Sequence, residues 1–305
     1  MKIKESLRLL FNDSEGFIIA LFTKFPFLIS DRKFILKKYK FKVGKNLNID
    51  NPETFNEKLQ WLKLYYRKPV LTELVDKIRV KDYVASRIGD QYIIPTLGVW
   101  NSFEEIDFGA LPDQFVLKTN HDYGGVIICK DKKRFDYQSS KRILDDHLRK
   151  NFYYVGREWA YKDVEPKILA EKYIGELGDD EVSDYKFYCF NGEPKLLLIS
   201  SGRQSREGKM TWNFYDVDFT PLQLTKSGIS SKSDLEKPIN FELMLDLAKV
   251  LSQGFPFVRT DFYNINGNIY FGELTFYPGA GYGKFDPEEW DYKLGSYLNL
   301  PDKIV

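Results

Sequence analysis

The sequence predicts an α+β protein with mostly antiparallel sheets in two layers, preceded by a helical, basic N-terminal region. Three observations predict it. Apolar residues recur at helical spacing through the first third of the chain. From residue 115 onward, short β-rich runs come in pairs and alternate with helical stretches. The last pair, "VRTDFYNINGNIYFGELTFYPGAG" over 258–281, flanks an Asn-Gly turn signal, and Arg259, Asp261 and Glu273 interrupt its apolar residues.

Taken in order, residues 1–50 read as basic and helical. Thr54 three residues before Glu57 is a capping-box pattern. The helix it opens carries a stripe of Phe55, Leu59, Trp61, Leu62 and Leu64. "TELVDKIRVKDYVASRIGDQ" reads as a second amphipathic helix ended near Gly89, and "YIIPTLGVW" as short and extended. "QFVLKTN" is a strand, and "HDYGGVIICKD" a glycine turn into another. "QSSKRILDDHLRKNFYY" is a helix, and "PKILAEKYI", "DYKFYCFNG" and "EPKLLLISSG" are strands. "NFELMLDLAKVLSQG" is a helix closing at Gly254, before the final hairpin. The expected division is 1–50, a basic helical segment; 51–114, a helical lobe; 115–172, a small α+β subdomain; and 173–305, a larger one.

The 305 residues suffice for two domains with real cores. A net charge of +1 gives no whole-molecule nucleic-acid footprint, so no nucleic-acid partner is expected. Charge is uneven, however: residues 1–45 carry net +7 and the remainder net −6, so the leader suits an anionic surface. Two cysteines and two histidines, unpatterned, exclude a disulfide framework and a Cys or His metal site, and fit a reducing cytoplasm. The longest apolar run, "GFIIALFTKFPFLI", is broken by Lys24 and Pro26 and does not read as a membrane span or a signal peptide. It either lies in a membrane interface or packs on the body of the protein.

The hairpin register decides what its charges can do. Arg259 and Asp261 share a face, as do Glu273 and Thr275. A two-residue turn at Asn266-Gly267 sends Asp261 and Glu273 to opposite faces; a loop with an odd residue count, such as the three-residue form with a Gly bulge, unites them. United and buried, two carboxylates need a bridging cation. A hard divalent ion such as Mg²⁺ fits, and the planar fork of Arg259 suits a phosphate. The plainer alternative is a structural ion pair on an exposed sheet face. Lys118, on a strand that runs into Gly124 and Gly125, suits nucleotide phosphates, and Lys77 reaches for a phosphate from a helix face. "ILAEKYI", interrupted by Glu171 and Lys172, reads as a sheet edge whose backbone faces a flat ring.

Together and in this order, "NPETFNEKLQWLKLYYR", "FVLKTNHDYGG", "GREWAYKDVEPKILAEKYI", "DYKFYCFNGEPK" and "PFVRTDFYNINGNIYFGELTFYPGAGYGKF" resemble the TupA-like ATP-grasp family of surface-polysaccharide and teichuronopeptide biosynthesis, over roughly residues 50–300. The resemblance implies two α+β subdomains clasping ATP. It implies that Lys77 and Lys118 contact the phosphates and that the 121–125 loop, with His121, Gly124 and Gly125, covers them. Glu171, Lys172 and Ile174 would form the adenine hinge, and one of Glu176, Asp179 and Asp180, with Asp179 the choice, would take the ribose. Asp261 and Glu273 would hold Mg²⁺ (or Mn²⁺), with Thr275 beside them, and Arg259 would stabilise the transferring phosphoryl group. Lys186 and Arg203 would meet phosphate or a carboxylate substrate, and Lys284, in "PGAGYGKF", the acceptor.

Two features depart from the superfamily pattern. Thr275 stands where many members carry Asn, which puts a second metal in doubt, and residues 1–95 lack the strand–helix alternation of the usual first domain. The implied activity is a carboxylate–amine ligase working through an acyl phosphate, amidating a uronic acid of a surface glycan with an amino acid or peptide in the cytoplasm. Competing classes are a glycosyltransferase using Asp216-Val-Asp218, a sugar kinase on the same phosphate site, and a membrane-docking scaffold with a dead pocket.

Overall fold

Two antiparallel sheets carry the fold, joined by helices from both ends of the chain. The structure is a computed structural model, and it describes residues 14–175, 183–202, 210–229 and 235–304. The helices are α1 (Ser14–Lys24), α2 (Asp31–Val43), α3 (Phe55–Tyr65), α4 (Val70–Val75), α5 (Val80–Ile88), α6 (Tyr137–Leu148), α7 (Tyr153–Gly156), α8 (Phe241–Ser252) and α9 (Glu289–Tyr297). The small sheet has the order β1-β4-β2-β3, from β1 (Thr96–Trp100), β2 (Phe115–Thr119), β3 (Val126–Cys129) and β4 (Ile168–Lys172). The large sheet has the order β10-β9-β5-β6-β7, from β5 (Asp184–Phe190), β6 (Glu193–Ser201), β7 (Thr211–Tyr215), β9 (Phe257–Ile265) and β10 (Asn268–Thr275). Between β7 and β9, β8 (Thr225–Lys226) pairs with β11 (Phe285–Asp286).

Side-chain alternation gives each sheet one apolar and one chemical face. In the small sheet, Phe115, Leu117, Ile168 and Ala170 pack with Leu144 of α6 and with Phe103, Ile106 and Leu111. Lys118 and Glu171 take the other face. In the large sheet, Phe187, Cys189, Val258 and Phe262 pack with Phe241, Met244, Ala248 and Leu251 of α8. Asp184, Lys186, Arg259, Asp261, Glu273 and Thr275 take the opposite face. Cys129 and Cys189 are free and buried.

Helix α3 starts where its cap predicts: Thr54 accepts from the Glu57 amide, and the Glu57 carboxylate accepts from the Thr54 amide. Its stripe buries Phe55, Leu59, Trp61, Leu62 and Leu64. The Phe55 ring sits edge-on to Phe190 and Phe257, so α3 closes one end of the large sheet.

Three local expectations change. The single helix expected over 138–154 stops at Leu148, and the chain turns before the short α7. The single helix expected over 72–91 is broken into α4 and α5, because the Asp76 carboxylate accepts from the Ile78 amide and from the Asn120 side chain and opens the turn. Lys77 therefore lies in the break, not on a helix. The strand read as a sheet edge is interior, since β4 is hydrogen-bonded to β1 and β2. The Lys172 N–H is spent on the Pro95 carbonyl.

The hairpin settles its register by a route other than the odd-numbered loop. Asn266 and Gly267 have φ of +51° and +85°, and Ile265 pairs with Asn268, so the loop is a two-residue turn. The extra residue lies further along β10: a bulge at Gly272 sets Glu273 opposite Asp261 and Thr275 opposite Arg259. A Cβ at 272 would stand 3.1 Å from the Asp261 carbonyl oxygen. Gly272→Val is expected to cost about 1–3 kcal/mol of stability by overpacking the bulge; an unchanged denaturation midpoint would show that the close approach is not needed.

Candidate functional site

On the large sheet the bulge and the strand pairing build one ion cluster. Lys186 on β5 stands opposite Asp261 on β9, and Glu273 on β10 stands opposite Asp261 from the other side. Arg259 donates through Nε to Asp261 Oδ1 at 2.7 Å and through Nη2 to Oδ2 at 2.6 Å. The same Nη2 reaches Glu273 Oε1 at 2.9 Å and the Thr275 hydroxyl at 3.0 Å. Lys186 donates to Asp261 Oδ2 at 2.8 Å and pairs with Asp184 at 3.1 Å. Thr275 donates to Glu273 Oε1 at 2.9 Å. Burial works against ionisation of Glu273, but Arg259, Lys186, Lys77 and the Thr275 hydroxyl override it and hold the carboxyl down at about 2.

Two facing carboxylates and a hydroxyl on one face are hard oxygen donors, the set a Mg²⁺ carried on a triphosphate takes alongside phosphate oxygens. Among the described residues no three Asp, Glu, His or Cys converge, so further oxygens would come from outside the chain. A cation already bridges the pair here, the guanidinium of Arg259.

The small sheet offers a second cluster. Glu171 is buried and pairs with Lys118 at 2.6 Å and with Lys81 at 2.6 Å. Lys81 also donates to Ile94 O at 2.9 Å and to the Thr96 hydroxyl at 2.7 Å. Burial opposes the charge on Glu171, yet Lys118 and Lys81 leave its pKa below the ordinary carboxylate range. The Glu171 side chain is thus held by lysines.

Lys77 joins the two clusters. Its amide donates to Asn120 O at 3.1 Å and its ammonium to the Asp122 carbonyl. Burial lowers its pKa, and Glu273 of the large sheet, with Asp122 and Glu171 of the small-sheet side, oppose that shift. Its charge therefore lies within electrostatic reach of carboxylates on both sheets.

The 121–125 loop is pinned by one residue that the sequence reading passed over. Asp122 accepts from the Thr119 hydroxyl, from His147 Nδ1 and from the Gly125 amide. Gly125 is required by contact, since a Cβ there would lie 2.2 Å from Thr119 Oγ1; one at Gly124 would meet His147 at 2.7 Å. His121 is turned inward, 3.0 Å from the Lys150 carbonyl, and burial lowers its pKa. Ile174 is half-buried just past β4.

Lys284 is exposed and not part of the cluster: its ammonium points toward Gly44, at the end of α2. Asp179, with Glu176 and Asp180, and Arg203 lie outside the described residues. Asp216 accepts from the Asp218 and Thr220 amides in a turn, so its carboxylate is engaged locally. An open depression of about 550 Å³ lined by Tyr66, Lys68, Asn191 and Phe255 shares no residue with either cluster. Of the residues missed, Lys81 had a signal, the four-residue spacing from Lys77; Asp122 and His147 had none beyond their residue types.

The model of one family, TupA-like ATPgrasp, matches residues 57–299. The chain belongs to the TupA-like ATP-grasp family. No curated protein matches it. Among solved structures it is similar to a D-alanine–D-alanine ligase from Helicobacter pylori, at 16% identity and a TM-score of 0.41 over 76% of this chain and 60% of that one. An L-amino acid ligase from Bacillus licheniformis gives 13% identity and 0.43 over 96% and 64%. The chain thus spans less than two thirds of the length of these two enzymes.

Glu171→Gln would leave two lysines crowded without their counter-charge and is expected to cost about 3 kcal/mol. Because the folded pKa of Glu171 is depressed, this contribution is full above the unfolded carboxylate value near ~4.3 and is lost as pH falls through the folded value. Denaturant melts of both proteins from pH 7 to pH 3 check it: the gap should close on acidification.

Proposed function

We propose that the chain is an ATP- and Mg²⁺-dependent carboxylate–amine ligase. The observation that carries the reading is the Asp261–Glu273 pair on one sheet face, with Lys77 within electrostatic reach of Glu273 and of Glu171 on the other sheet. Mg²⁺ bound there supplies charge neutralisation for the triphosphate. Asp261, Glu273 and the Thr275 hydroxyl are the residues that would hold it, with Mn²⁺ as a substitute. Lys77 and Lys118 would take phosphate oxygens, and Arg259 and Lys186, released from the carboxylates, the transferring phosphoryl group. A substrate carboxylate oxygen attacks the γ-phosphorus and the bond to ADP breaks. An amine then attacks the acyl carbon and phosphate leaves. Such steps need alignment and charge more than a protein nucleophile.

The family resemblance supports a sugar carboxylate, a uronic acid of a surface polysaccharide or its precursor, with an amino acid or peptide as the amine. The engaged carboxylate of Asp216 argues against a nucleotide-sugar site at Asp216-Val-Asp218. Glu273→Gln is expected to lower ADP release, measured with ATP, Mg²⁺, glucuronate and an amino-acid mixture, by at least 10²-fold, as losing an electrostatic contact in the transition state would. Wild-type ADP release that ignores both carboxylate and amine would sink the ligase reading.

The enzyme would work in the cytoplasm at the inner face of the membrane. Among the described residues no helix is long and apolar enough to cross a bilayer. After α1, Phe27 is 81% and Leu28 53% exposed, next to exposed Ile18, Leu21 and Phe25. Exposed Lys33, Lys37 and Lys40 fall on one stripe of α2. Apolar side chains beside lysines suit an anionic bilayer surface. Phe27→Asp with Leu28→Asp should cut co-sedimentation with phosphatidylserine vesicles about tenfold, leaving ATP turnover in solution intact. Wild-type protein that stays in the supernatant at low salt would remove this surface from consideration.

A further inference from the structure

Beside the ion cluster lies a carboxylate that the proposed phosphate chemistry does not use. Glu158 follows α7, where its carboxylate fills a notch opened by Gly156. A Cβ on Gly156 would stand 2.5 Å from Glu158 Oε1 and 3.2 Å from the Ala280 Cβ. The notch is framed by a fixed loop. Gly279, Ala280 and Gly281 all have positive φ, including +52° at the alanine. Two side chains of α3 hold this conformation: Gln60 donates to Ala280 O at 3.1 Å and to Gly281 O at 2.7 Å. Lys63, with no exposed surface, donates to Gln60 Oε1 at 2.9 Å, Gly156 O at 2.9 Å and Ala280 O at 2.6 Å, over the Tyr282 ring.

Lys63 is thus saturated by oxygens other than those of Glu158. Lys38 likewise donates to the Val155 carbonyl. Among the described residues no hydrogen bond reaches the Glu158 carboxylate, which is half-buried. A half-buried carboxylate without donors is costly unless a ligand supplies them.

Its surroundings bound where such a ligand would sit. Glu158 lies against the 278–281 turn, which follows β10, the strand of Glu273 and Thr275. The negative charge of Glu158 raises the pKa of Tyr123, Tyr161, Tyr277 and Tyr282, adding to the effect of burial. An unpaired carboxylate is a site for a cation rather than for phosphate.

We infer that Glu158 receives the amine substrate, holding the primary ammonium of an amino acid or peptide against the 278–281 turn. This rests on the ligase reading. In the second step Glu158 first takes one proton from the ammonium, which frees the nitrogen lone pair. The amine nitrogen then forms the C–N bond, the bond from the acyl carbon to the phosphate oxygen breaks, and phosphate leaves with that electron pair and takes the second proton from the nitrogen. Burial raises the pKa of Glu158, and Lys63 and Lys38 oppose the shift, so the carboxylate is a stronger base than an exposed one.

Hydroxylamine separates the two halves of the chemistry. It is neutral at assay pH and traps an acyl phosphate as a hydroxamate without an ammonium site. With ATP, Mg²⁺ and glucuronate, Glu158→Gln should form hydroxamate within about twofold of wild type. Its ligation of an amino acid should fall by roughly 10²–10³-fold, the range of a lost general base, and Glu158→Asp should recover part of it. Equal loss of both activities would make Glu158 a prop for the cleft, and loss of neither would leave it idle; either result overturns the inference. Absence of hydroxamate from wild type would count against the ligase reading instead. Glu158 is then tested by thermal shift with a non-hydrolysable ATP analogue and each of the twenty amino acids: an amino acid that stabilises wild type but not Glu158→Gln supports the site, and equal shifts, or none in wild type, refute it.

Discussion

The guanidinium of Arg259, bridging Asp261 and Glu273, is the interaction on which the rest of the site depends. A buried carboxylate, Asp261, opposite a second one, Glu273, that is only partly open to solvent stays ionised only with a cation beside it. Arg259 supplies it, and Lys186 adds a second positive charge on the far side of Asp261. On the proposed function, a divalent ion held by these oxygens would take over the role of the guanidinium and leave Arg259 available to phosphate.

The same economy runs through the small sheet. Glu171 holds Lys118 and Lys81 at 2.6 Å each, fixing two cations on a face that would otherwise repel them. Lys77 is fixed differently, by its amide to Asn120 and its ammonium to the Asp122 carbonyl, in a turn with no helical bonds to constrain it. Asp122 also ties the glycine loop to Thr119 and His147. One residue thereby holds both the 121–125 loop and the Lys77 ammonium, so a shift of the loop would carry the Lys77 contact with it.

The architecture was legible because its signals are local. The capping box at Thr54, the stripe of α3 and the strand pairs after residue 115 are each written within about ten residues, and each formed as read. The small sheet's membership was less legible: β4 is interior because β1, some seventy residues earlier, pairs with it, and no local pattern reports such a partner. The helix over 72–91 failed for a similar reason. Asp76 fits a helical pattern, and only its bond to Asn120, 44 residues away in sequence, breaks the helix and frees Lys77 from it. The Asp261–Glu273 face was legible as a condition on register but not in its cause. An Asn-Gly loop points to an even turn, and the turn is even; the compensating bulge rests on Gly272, which looks like any glycine in a strand.

The buried basic residues of α3 and α2 show how function is distributed over a core. Lys63 and Gln60 spend their hydrogen bonds on main-chain oxygens of a turn in left-handed conformation, with an alanine at φ +52°. An apolar helix face would fill the same volume at lower desolvation cost, but it could not hold the carbonyls of 280 and 281 in fixed directions. Polar groups on a core helix define the shape of a turn, and Glu158, left without a donor, stands beside that turn. The helix that closes the large sheet through Phe55 therefore also sets the wall against which Glu158 rests.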